Sequence, residues 1–181
     1  MKILVSGTPG TGKTEVSKIL ADKLKYKLIK INDFAYDHDL IVGQDDKRGC
    51  LVVDTDGLAK LIEKLDGDYV IEGHMAHLLK GDSVFVLRTN PDVLKKRLDE
   101  RNWLSEKIQE NADAETLDVC LKEAVDKNKE VYEIDTTEKK PQETADIILK
   151  ILKKDKKEME AANPGSVSWP THMDKLAERC K

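Results

Sequence analysis

Apolar residues in this chain fall in short blocks separated by longer stretches of helical spacing. Runs rich in Val, Ile, Leu and Tyr occur at Lys2–Ser6, 27–32, 69–73, 83–89 and 131–136, and each reads as a strand. Between them the apolar positions recur every three or four residues. Val16, Ile19, Leu20 and Leu24 mark one helix, and Leu58, Leu61, Ile62 and Leu65 a second, with Asp54 or Thr55 as its cap. Asn90-Pro91 opens another with Leu94 and Leu98 inward, proline being favoured at the first helical position. Leu117, Cys120, Leu121, Ala124 and Val125 mark a further helix, and Pro141 opens one carried by Ala145, Ile148, Ile151 and Leu152. Strands alternating with helices predict an α/β chain with a parallel sheet flanked by helices. The pattern decays near residue 153 into lysines and acids, and 163–181 reads as a flexible tail with Trp169, Met173 and Leu176 as weak docking points.

Chemistry enters at residues 7–14, Gly-Thr-Pro-Gly-Thr-Gly-Lys-Thr, a complete G-x-x-x-x-G-K-[ST] phosphate-binding loop. It lies between a predicted strand and a predicted helix, the context that this motif requires. Gly7, Gly10 and Gly12 permit backbone angles and close approaches that a Cβ would block. The freed N–H groups and the helix N-terminus then face anionic oxygens. Lys13 is placed to span the β- and γ-phosphates of a nucleoside triphosphate, and Thr14 to offer its hydroxyl to Mg²⁺.

Ligands of open parallel sheets gather at the carboxyl ends of the strands. The strand at 69–73 runs into Glu72-Gly73-His74. Glu72 is expected to hold the hydration shell of Mg²⁺ opposite Thr14, and His74 to orient or deprotonate an attacking group. His77 follows at helical spacing, but no further Cys or His nearby completes a metal site. Arg88 ends the next strand, and Arg97 and Arg101, four apart, share a face of the following helix. Three of the five arginines thus fall where a transferring phosphoryl group needs its charge neutralised. A surface ion-pair stripe with Asp99 and Glu100 is the alternative. The polar stretch 102–112 reads as a mobile cover, since lids are drawn from weakly packed segments. Residues 32–53, with Asp33, Asp37, His38, Asp39, Asp45 and Asp46, follow the second strand and read as the acceptor segment.

Composition narrows the setting. At 181 residues the chain is long enough for one real core. A net charge of −4 does not suggest a nucleic-acid partner. Cys50, Cys120 and Cys180 are widely spaced, which predicts reduced thiols in a cytoplasmic protein. No apolar run is long enough for a membrane helix, and Met1 leads directly into a strand, so no signal peptide is expected.

With these residues in view, the chain resembles the adenylate kinase superfamily, and within it the short-lid branch of adenylate kinase isoenzyme 6 and its archaeal relatives. The resemblance rests on residues 6–14, the acidic-x-His turn at Glu72-Gly73-His74, the run Val84-Phe85-Val86-Leu87-Arg88-Thr89, and the segments 93–101 and 128–131. It covers roughly residues 1–152, leaving 153–181 as a helix end and tail. It implies a five-stranded parallel sheet, an acceptor-nucleotide segment near 30–53 and a lid near 100–110. It also implies ATP and AMP as substrates, ATPase activity, and a role in small ribosomal subunit maturation through a small-subunit ribosomal protein. On matching positions, Gly10, Gly12, Lys13, Thr14 and Glu15 would contact ATP, Arg101 would reach its phosphates, and Thr137, Glu138 and Lys139 would lie by the adenine.

Two departures accompany the resemblance. The acidic-x-His turn often begins with Asp, and here it is Glu72; the added methylene is tolerable when the metal is held through water. The acceptor segment of typical members carries Arg where this chain has Tyr36. A guanidinium fork matches a phosphate dianion and a phenol does not, so weak AMP recognition is expected. Three functions stay open on these residues: a nucleoside monophosphate kinase, an assembly ATPase, and a kinase for a small metabolite.

Overall fold

The computed structural model describes residues 1–45 and 50–179. Asp46 and Cys180, named above, lie outside the described residues. Five strands, β1 (Lys2–Ser6), β2 (Lys27–Lys30), β5 (Tyr69–Glu72), β6 (Ser83–Arg88) and β7 (Val131–Asp135), form one sheet in the order β2-β5-β1-β6-β7. Every pairing is parallel, with Leu4 beside Ile71 and Val84. Antiparallel β3 (Ile41–Asp45) and β4 (Cys50–Val53) make a separate two-stranded ribbon.

Alternation along the strands divides the core into two layers. Leu4, Ile71, Val84 and Val86 face α2 (Ile31–Asp37), α3 (Thr55–Glu63) and α6 (Val119–Lys127) through Ile31, Ala35, Leu58, Ile62 and Leu121. Ile3, Val5, Phe85, Leu87 and Ile134 face α1 (Lys13–Leu24) and α7 (Pro141–Leu152) through Val16, Leu20, Ala145, Ile148 and Ile151. The Asp54 side chain accepts from the Gly57 N–H and caps α3, while Asn90 caps α4 (Pro91–Asp99) with Pro91 in its first turn.

Four features of the fold differ from the pattern read along the sequence. The second strand ends at Lys30, and Ile31 already belongs to α2, because its side chain packs against the helices of the first layer. Part of the acceptor segment is the β3–β4 ribbon, which the sequence reading left without strands. The polar stretch 102–112 runs into α5 (Ser105–Thr116), whose inward positions Ile108, Ala112, Glu115 and Thr116 keep helical spacing with only two apolar members. Last, the tail is folded. It forms α8 (Lys156–Ala161) and α9 (Pro170–Arg179), tied down by polar contacts that hydropathy does not register. Glu133 accepts from the Gly165 and Val167 N–H groups at 2.8 and 3.2 Å, His172 lies 3.1 Å from Asp92, and Arg179 reaches Asp113 at 2.5 Å. No helix among the described residues is long and apolar enough to cross a membrane.

Candidate functional site

The phosphate loop leaves the carboxyl end of β1, the middle strand, and closes on the first turn of α1. Gly7 sits at φ +138°, where an added Cβ would lie 2.3 Å from the Leu87 carbonyl oxygen. No side chain fits there, so the loop can pass this close to β6 only with glycine. Gly12, at φ +93°, precedes the helix, and Lys13 turns back across the loop. Its Nζ donates to the Gly7 and Thr8 carbonyls at 2.8 and 3.1 Å. Burial pulls this ammonium down to about 8, with Glu72 and Glu115 among the charges that oppose the shift.

Glu72, buried at the end of β5, accepts from the Thr14 hydroxyl at 3.2 Å. A hydroxyl and a carboxylate in contact at the first turn of α1 suit Mg²⁺, which keeps most of its waters and needs few protein donors. His74 approaches from the same turn, its Nδ1 lying 3.2 Å from the Gly7 carbonyl. A carbonyl only accepts, so Nδ1 carries the proton and Nε2 keeps its lone pair. Burial lowers the pKa of this imidazole, which favours the neutral ring. Cys120 lies 3.9 Å away, and burial pushes its thiol up to about 11, which makes it a poor nucleophile.

Pro9, Gly10, Gly12, Lys13, Thr14, Glu15, Glu72, His74 and Arg101 line one cleft of about 370 Å³, which Lys30, Asn32, Asp33 and Trp103 close on the other side. Eight of the expected site residues thus meet at one place. Arg97 stands behind the loop and donates to the carbonyls of Gly10, Thr136 and Thr137 at 3.3, 3.1 and 2.9 Å. Arg97 is thereby committed to backbone oxygens that join the loop to the end of β7. Thr137 and Glu138 do not line the cleft, and Glu138 is exposed.

Arg88 does not reach the cleft, which corrects its expected role. It is 1% exposed and ion-paired to Glu115, Glu133 and Asp118. Four of its five N–H groups donate to Glu115 of α5, to Asp118 and to Glu133 of β7, which holds this guanidinium away from a phosphoryl group in the cleft. His77 is likewise committed, with Nδ1 2.6 Å from Ser6 Oγ and Nε2 2.7 Å from Glu123. Among the described residues no cluster of His, Cys, Asp and Glu suits a protein-held metal. The sequence reading missed Lys30, Glu115 and Trp103. Lys30 was findable, since it ends β2 where sheet ligands gather.

A glycine loop on the central strand, a buried lysine inside it and a hydroxyl–carboxylate pair beside it define a phosphate-loop phosphotransferase. A family model described as an AAA domain matches residues 3–118. A protein of Archaeoglobus fulgidus named "Putative adenylate kinase" is 40% identical over 178 residues, 98% of this chain and 97% of that one. Its namesake in Methanocaldococcus jannaschii is 39% identical over 172 residues, 93% of each chain. The chain belongs to the family of these archaeal proteins, within the adenylate kinase superfamily. Solved structures agree on the fold. Shikimate kinase from Acinetobacter baumannii, in complex with shikimate, superposes with a TM-score of 0.62 at 14% identity over 86% of this chain and 94% of that one. Deoxyadenosine kinase from M. mycoides gives 0.57 at 17% identity over 86% and 100%.

Proposed function

We propose that the protein transfers the γ-phosphoryl group of ATP to AMP. An oxygen of the AMP phosphate attacks the γ-phosphorus, the bond to the β–γ bridging oxygen breaks, and two ADP leave. The observation that carries this reading is the cleft itself. Its one wall is the phosphate loop and its other is Lys30–Asp33, a room for a donor phosphate at Lys13 and Arg101 and an acceptor phosphate at Lys30. In this reading Lys13 and Arg101 face the triphosphate, and Thr14 with Glu72 would hold Mg²⁺, Glu72 through water. That ion neutralises the β- and γ-oxygens when bound. Residues 100–110 act as the lid that brings Arg101 inward. Tyr36, where typical relatives carry arginine, is 73% exposed, while Lys30 at the cleft is 3.7 Å from Asp33. Lys30 therefore serves as the acceptor-side cation. The test is ADP formation from ATP with AMP, with other nucleotide and metabolite acceptors, and with ATP alone. Acceleration by AMP at two ADP per ATP supports the transfer. Equal ADP with and without AMP would leave hydrolysis alone.

A second activity, ATP hydrolysis, is favoured by the His74 geometry, because a neutral ring with a free Nε2 can orient a water. His74→Ala should then depress ATPase several-fold and spare transfer to AMP, which brings its own nucleophile. Equal loss in both reactions would assign His74 to holding the loop. The role in small-subunit maturation through a ribosomal protein rests on the family resemblance, and binding to purified small-subunit proteins tests it.

A further inference from the structure

The mechanism leaves unused a group that is among the most deeply buried in the protein. Arg88 donates from Nε to Glu115 Oε1 at 2.6 Å and from Nη2 to the Glu115 carbonyl and Asp118 at 2.9 and 2.5 Å, and it pairs through Nη1 with Glu133. Each buried carboxylate has a second oxygen, and both are occupied. That of Glu115 accepts from the Thr8 hydroxyl at 2.6 Å, and that of Glu133 accepts from the backbone of the turn before α9. A continuous chain of charge-assisted hydrogen bonds therefore runs from the carboxyl-terminal segment to the phosphate loop.

Stability is a poor account of this cluster. Burying one guanidinium with two carboxylates costs desolvation that their attraction barely offsets, and apolar side chains of similar volume would do as well. What such a network supplies is direction. Thr8 is where the direction is used. Its hydroxyl is held by Glu115, and its carbonyl accepts from Lys13 Nζ at 3.1 Å, from the Thr11 N–H at 3.3 Å and from the Thr11 hydroxyl at 2.9 Å. One residue thus joins the buried ion cluster to the loop lysine.

We propose that Glu115, fixed by Arg88, is a positioning residue for the phosphate loop: it sets Thr8, and through the Thr8 carbonyl it sets Lys13 and the loop that receives the triphosphate. The proposal rests on ATP binding at this loop and does not depend on which acceptor is used. It also gives α5 a purpose that its sparse apolar face does not, since α5 carries the buried carboxylate that holds Thr8.

The test is a double-mutant cycle read by calorimetric Kd for ATP with Mg²⁺, so that a failed kinase reading leaves it intact. Thr8→Val removes the hydroxyl at nearly constant shape, and Glu115→Gln keeps shape but loses the carboxylate. Each should weaken ATP binding about tenfold, and the pair together also about tenfold, because both cut the same link. Thr8→Ser should restore wild-type affinity, which a merely structural role for the methyl group would not predict. Losses that multiply to about a hundredfold would overturn the proposal, as would two single variants within twofold of wild type. If Glu115→Gln fails to fold, the Thr8 pair decides alone: equal affinities in Thr8→Val and Thr8→Ser would refute it.

Discussion

The two walls of the cleft are built differently. The donor wall springs from the centre of the sheet: Ser6, Thr8, Thr11 and Lys13 are all buried, Ser6 is bonded to the turn after β5 and to His77, and the others to one another, to the Gly7 carbonyl, to Glu115 or to the end of β7. The acceptor wall hangs on β2, one of the two edge strands of the sheet, and continues into α2 and the β3–β4 ribbon. There Tyr36, Val42, Leu51 and Val52 stand in solvent. A preformed wall binds without reorganising, whereas an exposed one must be ordered by its ligand at a cost in affinity. The difference predicts tight, rigid capture of the triphosphate and weak, adaptable capture of the acceptor.

The largest effect should come from breaking the rigid wall. Lys13→Ala removes the charge between the β- and γ-oxygens, and turnover should fall by about 10²–10⁴. Steady-state ADP production within twofold of wild type would refute the assignment. The acceptor wall should respond less, and in KM rather than kcat. Lys30→Ala should raise the AMP KM about tenfold, and Tyr36→Arg should lower it by about as much, a charge-assisted contact being worth roughly 1.5–3 kcal/mol. ATP hydrolysis without AMP should hardly change in either variant. An AMP KM already low in the unaltered protein and insensitive to Lys30 would place the acceptor cation elsewhere.

The smallest effect is a titration. With its pKa drawn down to about 8, Lys13 is largely protonated at pH 7 and loses its charge as pH rises through 8. A bound triphosphate favours the charged ammonium, so binding must take up a proton on the alkaline side. ATP affinity should be about halved at pH 8 relative to neutrality and fall further above it. Calorimetry in buffers of different ionisation enthalpy should detect the proton uptake. A flat affinity from pH 7 to 9 would mean that the lysine keeps an ordinary pKa.

The contrast between the walls also explains what was legible in the sequence. The phosphate loop is local, eight successive residues whose chemistry is complete in themselves, and Glu72 and His74 follow from the end of a strand. Arg88 was misread because its partners Glu115, Asp118 and Glu133 lie well beyond it in sequence, and only the sheet and α5 bring them together. α5 was hidden for a related reason: one of its inward positions is Glu115, and a buried acid reads as solvent-facing until its partner is known. The tail was missed because backbone N–H groups donating to Glu133 carry no side-chain signature. The β3–β4 ribbon lacked signal because its strands are short and neighbouring residues such as Leu51 and Val52 are both exposed, so its two faces leave no alternation of apolar and polar positions.

The place of β1 has a consequence for biosynthesis. This strand is made before both of its partners yet lies in the middle of the sheet, with Lys2 beside Tyr69 on one edge and Ile3 beside Ser83 on the other. Neither partner exists until well over a third of the chain has been made, several seconds at about 5–20 residues per second. During that interval Ile3, Leu4 and Val5, which end fully buried, have no strand to pair with. The glycine loop behind them cannot take its shape either, because it leans on β6. Nascent chains should therefore acquire nucleotide affinity late and abruptly, and slowed translation between β1 and β6 should lengthen the window in which chaperones or other nascent strands compete for β1.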